Sequence, residues 1–302
     1  MAQVETPITQ QRRLRAELKR AREQSGMTQK DVAVLLDWSP SKVIRIETGA
    51  AIISTSDLQA LLPHYGITDR KRIDELVEVA RASRKQAWWD EYRGVYDQQF
   101  LTFLGYEAST IRLRSYQALL IPGLLQTSAY TNAILRAYTD DEEAIVRGAQ
   151  VRGKRQHVLE PGKGPEMFFV LDEAALHRWV GGSEVMREQL LWLEELNKRP
   201  NIQIQVVPFT VGAHPGMRGA FTIFEFPFED EDFALLLEHP DGDVLIQNKP
   251  DIASTYVETF FDLEAIATPK GDLSAVLRPI LDMFPGAKTA SAAKTPATKA
   301  QD

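Results

Sequence analysis

Residues 28–49 read TQKDVAVLLDWSPSKVIRIETG and decide the fold of the N-terminal part of the chain. Thr28 can cap a short helix, because its hydroxyl can accept a hydrogen bond from a backbone N–H of the first turn. Ser39 followed by Pro40 predicts the start of a second helix, and Gly49 predicts its left-handed C-terminal cap. The stretch therefore predicts two short helices joined by a tight turn. The apolar residues expected to be buried are Val32, Ala33, Leu35, Leu36, Val43, Ile44 and Ile46.

Helical periodicity continues on both sides of this stretch. Apolar residues recur there at spacings of three and four, as on one face of a helix. Residues 10–85 therefore predict a compact all-α domain of five helices, preceded by a flexible N-terminus at residues 1–9. We expect the three additional helices to begin at Gln11, at Ser54 or Ser56, and at Asp69.

Polar residues on the second helix distinguish this pair from a plain packing hairpin. Lys42 and Arg45 lie three residues apart, so both side chains project from one side of the helix. Small polar groups in the turn DWSPS leave the N-terminal face of that helix free to approach a groove. Gln29 adds an amide at the start of the first helix. This arrangement favours DNA binding.

The pattern T-Q-x-x-V-A…S-x-S-x-V-x-x-I-E-x-G resembles the lambda-repressor-like, or XRE-type, helix-turn-helix family. The resemblance covers roughly residues 14–65 and implies that the second helix enters the major groove of DNA. Arg45 is the candidate for a guanine contact, since its forked guanidinium can bond O6 and N7 together. The other implied positions, which are given at the end of this paragraph, are candidates for phosphate contacts. Lys42 could instead be an ordinary solvated lysine. The implied DNA-contacting positions are Gln29, Ser39, Ser41, Lys42 and Arg45.

Two further matching residues have a structural meaning in this family. Arg22 and Glu47 correspond to an internal ion pair that ties the first helix to the end of the recognition helix. A partly buried pair of this kind orients a helix more than it stabilises the fold. Pro40 departs from the glutamine that phage repressors often carry at this position.

The charge of the chain is unevenly distributed. The whole chain has a formal charge of −7 and a pI near 5.4. Residues 1–85 hold 15 basic and 11 acidic residues, a net charge of +4, which leaves −11 for the remainder. DNA affinity depends on the local potential within a Debye length of about 8 Å rather than on the total charge. The basic segment at residues 1–85 can therefore bind phosphate although the whole chain is acidic.

The composition excludes several classes of protein. The chain has no cysteine, which excludes disulfides and thiolate zinc sites. Its N-terminus lacks an apolar signal core. The most apolar stretch, YQALLIPGLL at residues 116–125, is too short to span a bilayer. We therefore expect a cytoplasmic protein with no membrane partner.

From about residue 85 the pattern changes to strand-like apolar runs separated by helices. The stretch AWWDEYRGVYDQQFLTFLGY at residues 87–106 predicts one aromatic-rich helix. Its residues Trp88, Trp89, Tyr92 and Tyr96 favour a core or a dimer interface over a ligand cage. Strands are expected at residues 111–117, 166–172, 201–209, 220–226, 233–239 and 243–247. Helices are expected at residues 128–138, 141–158, 183–198, 250–267 and 272–283.

Short connections between the later strands favour a mixed or antiparallel sheet with helices, an α+β domain. This domain is expected to span residues 86–283 and to serve ligand or partner binding and dimerisation. The tail at residues 284–302 is a low-complexity mixture of Ala, Thr, Lys and Pro and is expected to be disordered.

Motifs of catalysis are absent from the sequence. It contains no G-x-G-x-x-G, Walker, H-E-x-x-H or G-x-S-x-G pattern, and its five histidines are scattered without metal-ligand spacing. The acidic run FEDEDF at residues 228–233 lacks the EF-hand pattern and is interpreted as a solvated loop. We expect no enzymatic activity, no metal site and no cofactor.

Motifs of the α+β domain at residues 86–283 also resemble a known family. IPGLLQT (121–127), VRGAQVRGKRQHVL (146–159), LDEAALHRWVGG (171–182) and QIQVVPF (203–209) resemble the large C-terminal domain of XRE-type regulators abundant in actinobacteria. The resemblance covers about residues 88–280. It implies a regulatory domain that senses a small molecule or a small partner protein encoded nearby, and some such regulators resemble antitoxins.

Five residues of the α+β domain are candidates for ligand or partner contacts. Arg152, Arg155 and Gln156 have the spacing that places them on one helix face, where they could meet an anion or an acidic partner. A salt-bridged helix surface is the alternative interpretation. Tyr116 and Gln126 are the candidate pocket residues.

Together these patterns predict a sequence-specific transcriptional repressor. One recognition helix reads only a few base pairs, so a homodimer on a palindromic DNA operator with half-sites about 34 Å apart is expected. One alternative is an antitoxin-like regulator that mainly sequesters a small protein. A second is an enzyme domain carried by a DNA-binding head.

Overall fold

The computed structural model describes residues 6–160, 164–227, 233–239, 241–247 and 249–284, without the side chain of Pro250. The chain divides into two compact units, Met1–Ile111 with Phe226–Asp232 and Arg112–Glu225 with Phe233–Asp302. Residues 285–302 of the expected tail and 228–232 of the acidic run lie outside the described residues.

The described part of the first unit is helical. Its first five helices surround one hydrophobic core, to which Leu18, Val32, Val43, Leu58 and Leu76 contribute fully buried side chains. The expected five-helix fold is therefore confirmed. The helices are α1 (Pro7–Gln24), α2 (Gln29–Leu35), α3 (Pro40–Thr48), α4 (Thr55–Leu61), α5 (Arg70–Ala82) and α6 (Gln98–Glu107).

Helix α1 begins earlier than the sequence predicts. Thr6 and Thr9 form a capping box, in which Thr9 N donates to Thr6 Oγ1 at 3.3 Å and Thr6 N donates to Thr9 Oγ1 at 2.9 Å. Pro7 takes the first helical position. The start expected at Gln11 is wrong, because a second threonine replaces the Glu or Gln usual in such a box. Residues 6–9 are thus cap and first turn, while residues 1–5 lie outside the described part.

The single helix expected over residues 87–106 is also wrong. The chain forms a 3-10 helix at Trp88–Tyr92 and becomes extended at Arg93. Helix α6 then starts anew after Asp97, whose Oδ1 accepts a hydrogen bond from Phe100 N at 2.7 Å. An aspartate able to cap the backbone in mid-stretch divides what periodicity alone joins into one helix.

The segment after α5 belongs to the first compact unit. Trp89 and Tyr92 are buried in it, and Gly105 of α6 has no room for a Cβ beside Ile8 of α1. Because α6 packs on α1, this unit continues to Ile111, past the boundary expected at residue 85. A functional boundary at that residue stays a prediction.

The second unit contains a six-stranded sheet and further helices. Its strands are β1 (Arg112–Gln117), β2 (Glu166–Asp172), β3 (Ile202–Val207), β4 (Phe221–Glu225), β5 (Phe233–Leu237) and β6 (Val244–Gln247). Its helices are α7 (Ser128–Tyr138), α8 (Glu142–Arg155), α9 (Glu173–His177), α10 (Ser183–Leu196), α11 (Pro250–Ile266) and α12 (Leu273–Asp282).

The sequence predicts a mixed or an antiparallel sheet, and the observed sheet is mixed. The expected α+β class is therefore confirmed. The strand order is β3-β2-β1-β4-β5-β6. Strands β1, β2 and β3 are parallel, and the remaining neighbours are antiparallel. The carboxyl ends of β1, β2, β3 and β5 therefore meet at one edge of the sheet. Phe260 and Leu263 of α11 pack against one of its faces.

None of the helices in the described ranges combines the length and the apolar character needed to cross a membrane.

Candidate nucleic-acid interface

Side-chain caps mark the N-termini of both α2 and α3. Thr28 Oγ1 accepts from Asp31 N at 3.2 Å, and Asp31 Oδ2 accepts from Thr28 N at 2.9 Å. These hydrogen bonds to Thr28 hold the pKa of the Asp31 carboxyl below its usual value. Ser39 Oγ accepts from Lys42 N at 3.3 Å and lies 3.0 Å from Ser41 Oγ. The two serines thus occupy the exposed N-terminus of α3.

The opposite end of α3 is fastened to α1. Gly49 ends the helix with a φ of 81°, the left-handed conformation that the sequence predicts there. Arg15 Nη1 donates to Thr48 O at 3.1 Å, and Gln11 Nε2 donates to Gly49 O at 3.2 Å. A cation at the C-terminus of a helix complements the helix dipole. Both ends of the recognition helix are therefore fixed.

Arg22 and Glu47 form the ion pair that the resemblance implies. Arg22 Nε lies 2.6 Å from Glu47 Oε1, and Nη2 donates to Oε2 at 3.1 Å. Arg22 Nη1 also donates to Met27 O at 2.9 Å. The hydrogen bond to Glu47 is the main cause of the raised pKa of the Arg22 guanidinium. Because only 5% of the Glu47 side chain is exposed, this pair locks α1 to the end of α3.

Gln29 is part of the same network. Its Nε2 donates to Glu47 Oε2 at 2.8 Å, so the amide nitrogen expected to reach DNA already has a partner inside the domain. A phosphate contact by this nitrogen would require it to leave Glu47. Contact between Gln29 and DNA stays a prediction.

Lys42 is turned toward the protein. Its Nζ lies 3.0 Å from Asp57 Oδ2 and 3.9 Å from the centre of the Trp38 ring. A phosphate contact by Lys42 would require its ammonium group to leave Asp57, and contact between Lys42 and DNA stays a prediction. The side chain joins the turn and α3 to the first turn of α4, and a cation over an aromatic ring contributes to such a join.

Three exposed side chains occupy the outer face of α3. Ser41, Ile44 and Arg45 are spaced by three and four residues and therefore share a face. Within the described part of the chain, the Arg45 guanidinium has no hydrogen bond or ion pair, so it can bind a base edge. Ser39, the cap, lies next to this face at the start of the helix.

The expected burial of Ile44 is wrong, because 44% of this residue is exposed. Leu35 of α2 is likewise 48% exposed, whereas Val43 and Ile46 carry the buried face of α3. The missed signal is the spacing of three between Ser41 and Ile44. An apolar side chain on a DNA-facing helix can contact the methyl group of thymine.

Two of the candidate residues of the α+β domain stabilise the segment between β1 and α7. Gln126 is buried, and its Nε2 donates to Ile121 O at 2.8 Å while its Oε1 accepts from Thr131 Oγ1 at 3.0 Å. Gln156 Nε2 donates to Leu124 O at 3.1 Å and to Gln126 O at 2.6 Å. Both amides therefore order the segment between β1 and α7.

Arg155 lies against the same segment, since a Cβ at Gly123 would be 3.3 Å from its Nη1. Arg152 is partly buried on α8. The expected cationic face is thus directed in part at the protein itself. Among the described residues, no group of three or more His, Asp or Glu is placed to hold a metal ion.

Tyr116 belongs to a different cluster. It is fully buried in β1, with its ring centre 6.0 Å from that of Phe221 and 6.1 Å from that of His214. Burial is the main cause of the raised pKa of its phenol, and the neighbouring Asp172 carboxylate adds to the shift. The structure therefore brings Gln126, Arg155 and Gln156 together, but not with Tyr116.

Comparison with known proteins identifies both parts of the chain. A model described as a helix-turn-helix domain matches residues 13–76, which indicates a DNA-binding regulator. A model described as a domain of unknown function (DUF5753) matches residues 100–278, more than half of the chain. Searches of curated proteins and of solved structures gave no match. The chain therefore belongs to the DUF5753 family and combines that domain with a helix-turn-helix domain of the XRE-like kind.

Proposed function

We propose that the chain is a transcriptional repressor that binds a palindromic operator as a homodimer in the cytoplasm. The observation that carries this proposal is the outer face of α3, where Ser41, Ile44 and Arg45 are exposed between two fixed helix ends. A rigid element that presents a free guanidinium has the properties needed to read base edges.

The side chains of α3 divide the work of recognition. Arg45 bonds O6 and N7 of a guanine, and Ile44 packs on a neighbouring thymine methyl. Ser39 and Ser41 bond phosphate at the helix N-terminus, where backbone N–H groups favour an anion. Glu47 keeps α3 in register with α1 through its hydrogen bonds to Arg22 and Gln29.

The need for specificity supports the homodimer. A single recognition helix covers only a few base pairs, while useful discrimination over a genome requires more. Two copies related by a two-fold axis would read half-sites about 34 Å apart, or a multiple of that distance.

For the second unit we propose a sensing role in which a small molecule or a small partner protein is bound rather than transformed. Support comes from a surface groove of about 380 Å³ that Gln126, Gln156 and Trp192 line together with Glu188 and Glu195. Its two carboxylates and its indole ring suit a partner with basic and apolar groups.

Arg45→Ala tests base reading directly. Affinity for the operator obtained by selection from random DNA should fall by about 1–3 kcal/mol, and discrimination at one base pair should be lost. The measurement is a binding titration of the full chain on the operator and on all single-base variants of it.

Arg81→Ala is the matched control, because Arg81 is an exposed arginine on α5 that pairs only with the exposed Glu78 among the described residues. It should leave the operator affinity nearly unchanged. Equal losses on every DNA sequence with Arg45→Ala would show that this residue binds phosphate and does not read a base.

A further inference from the structure

A cluster of buried polar side chains lies at the carboxyl edge of the sheet, outside the helix-turn-helix. Asp172 is the last residue of β2, and Tyr116 is the penultimate residue of β1. Tyr116 pairs with Val170 across the two strands, so Asp172, two residues further on, shares its face of the sheet. Open sheets with parallel strands bind ligands beyond the carboxyl ends of those strands.

His214 completes the cluster. Its Nε2 lies 3.2 Å from Asp172 Oδ2, and only 4% of its side chain is exposed. A carboxylate can only accept a hydrogen bond, so Nε2 carries the proton of this contact. In the neutral ring, Nδ1 is then left as an acceptor.

Two polar atoms of this cluster lack partners. Among the described residues, neither the Tyr116 hydroxyl nor His214 Nδ1 has a well-formed hydrogen bond, although both atoms are buried and the Asp172 carboxylate lies near the Tyr116 hydroxyl. A buried polar group that nothing satisfies destabilises the folded state. Buried polar atoms without a protein partner point to a bound molecule or water as the missing partner.

One short segment packs against the cluster. A 3-10 helix at Pro215–Arg218 follows His214 and crosses the Tyr116 ring. A Cβ at Gly216 would lie 2.8 Å from the Tyr116 hydroxyl oxygen, so only glycine permits this approach. Next to it, 69% of Met217 is exposed, and 19% of the Asp172 side chain is exposed. One turn of chain therefore lies directly against the Tyr116 hydroxyl.

We propose that Tyr116, Asp172 and His214 form a binding site for a hydroxyl group of a neutral polyhydroxylated molecule, a sugar or polyol. A hydroxyl can accept from the Tyr116 O–H and donate to His214 Nδ1, which satisfies both atoms at once. A carboxylate or phosphate ligand would be opposed by the charge of Asp172. Neutral hydroxylated ligands are therefore favoured over anions.

This site is formed by other residues than the groove at Gln126, Gln156 and Trp192, and only its regulatory meaning rests on the proposed sensing role. Binding at the site would hold the segment over Tyr116 in a displaced position. The binding itself can be measured without reference to DNA.

The test is thermal unfolding of the full chain with D-glucose, myo-inositol and glycerol as probes. At least one probe should raise the unfolding temperature of the unsubstituted chain, because a ligand that binds only the folded state stabilises it. Tyr116→Phe should abolish that rise. Without a probe it should unfold at the same or a higher temperature, since it removes a hydroxyl that lacks a partner. Tyr138→Phe, at a residue that is 73% exposed, is the matched control and should keep the response.

Three results would overturn the site. They are no response to any of the probes, an equal response in Tyr116→Phe, and a marked loss of stability in that variant without a probe. The last would mean that water or protein already satisfies the hydroxyl. If a probe binds through Tyr116 but leaves operator affinity unchanged, the site stands and the sensing role falls. If no operator can be selected, the proposed DNA function fails while the site is unaffected.

Discussion

At the scale of single residues, the outer face of α3 differs from the rest of the helix in what its side chains already bind. The Arg45 guanidinium has no partner among the described residues, whereas Lys42 is held by Asp57 and Trp38. Gln29 is held by Glu47. Because rearrangement of Lys42 or Gln29 would cost energy, we expect DNA specificity to depend mainly on Arg45 and its neighbour Ile44.

Ile44→Ser should weaken discrimination for thymine at one operator position. The expected loss is about 1 kcal/mol, because an apolar contact with the C5 methyl is removed. Stability should change by no more than about 0.5 kcal/mol, since the residue is exposed. Binding to operators that carry uracil in place of thymine provides the measurement, because uracil lacks only that methyl group.

The unsubstituted protein should lose affinity for the uracil operator, whereas Ile44→Ser should bind both operators equally. If the unsubstituted protein does not distinguish them either, Ile44 contacts no methyl group.

Sequence patterns could predict the exposed contact residues but not which of them are engaged. Ser41 and Arg45 follow from helical spacing alone. The partners of Lys42 and Gln29 are Asp57 and Glu47, which lie on other parts of the fold and become neighbours only after folding. The hydrophobicity of Ile44 predicts that it lies in the core, whereas its position on the helix places it on the exposed face.

At the scale of elements, the orientation of α3 depends on the buried network that joins it to α1. Glu47 accepts hydrogen bonds from Arg22 and Gln29, and removing its carboxylate would leave a largely buried guanidinium without its counter-charge. Losing one partner of a buried pair is strongly destabilising. The recognition helix should therefore lose stability and operator affinity together.

Glu47→Ala should lower the free energy of unfolding by about 3 kcal/mol. Glu78→Ala is the matched control, because Glu78 pairs with Arg81 on the exposed surface, where such pairs contribute about 0–1 kcal/mol. Chemical denaturation of the two variants measures the difference. Equal effects would mean that the Arg22–Glu47 pair does not anchor α3.

Local signals predicted most element boundaries of the second unit. Helix α7 was expected at residues 128–138 and is observed at Ser128–Tyr138, after a Thr127 cap. Strand β2 also has its expected bounds, Glu166–Asp172. The failures, α1 and the stretch before α6, come from caps at Thr6 and Asp97 that periodicity does not reveal. Caps act on a few backbone groups and leave little trace in the hydrophobic pattern.

At the scale of the whole molecule, the distribution of charge could be predicted from the sequence, whereas the order of the strands could not. The net charge of +4 on residues 1–85 is a property of composition and could be read directly. The parallel pairing of β1 with β2 and β3 joins residues far apart in sequence, so only the sheet class could be predicted. The contact of Tyr116 with Asp172 and His214 depends on that pairing, so the sequence could not predict these neighbours.

The central claim is that the chain recognises a palindromic DNA sequence through α3, and selection from random DNA by the full chain tests it most directly. Two inverted half-sites should be enriched with centres about 10 base pairs apart or a multiple of that spacing. Affinity for the selected operator should then fall steeply as salt increases, because phosphate contacts release counterions. Enrichment of no sequence, or of a single half-site with weak salt dependence, would contradict the claim.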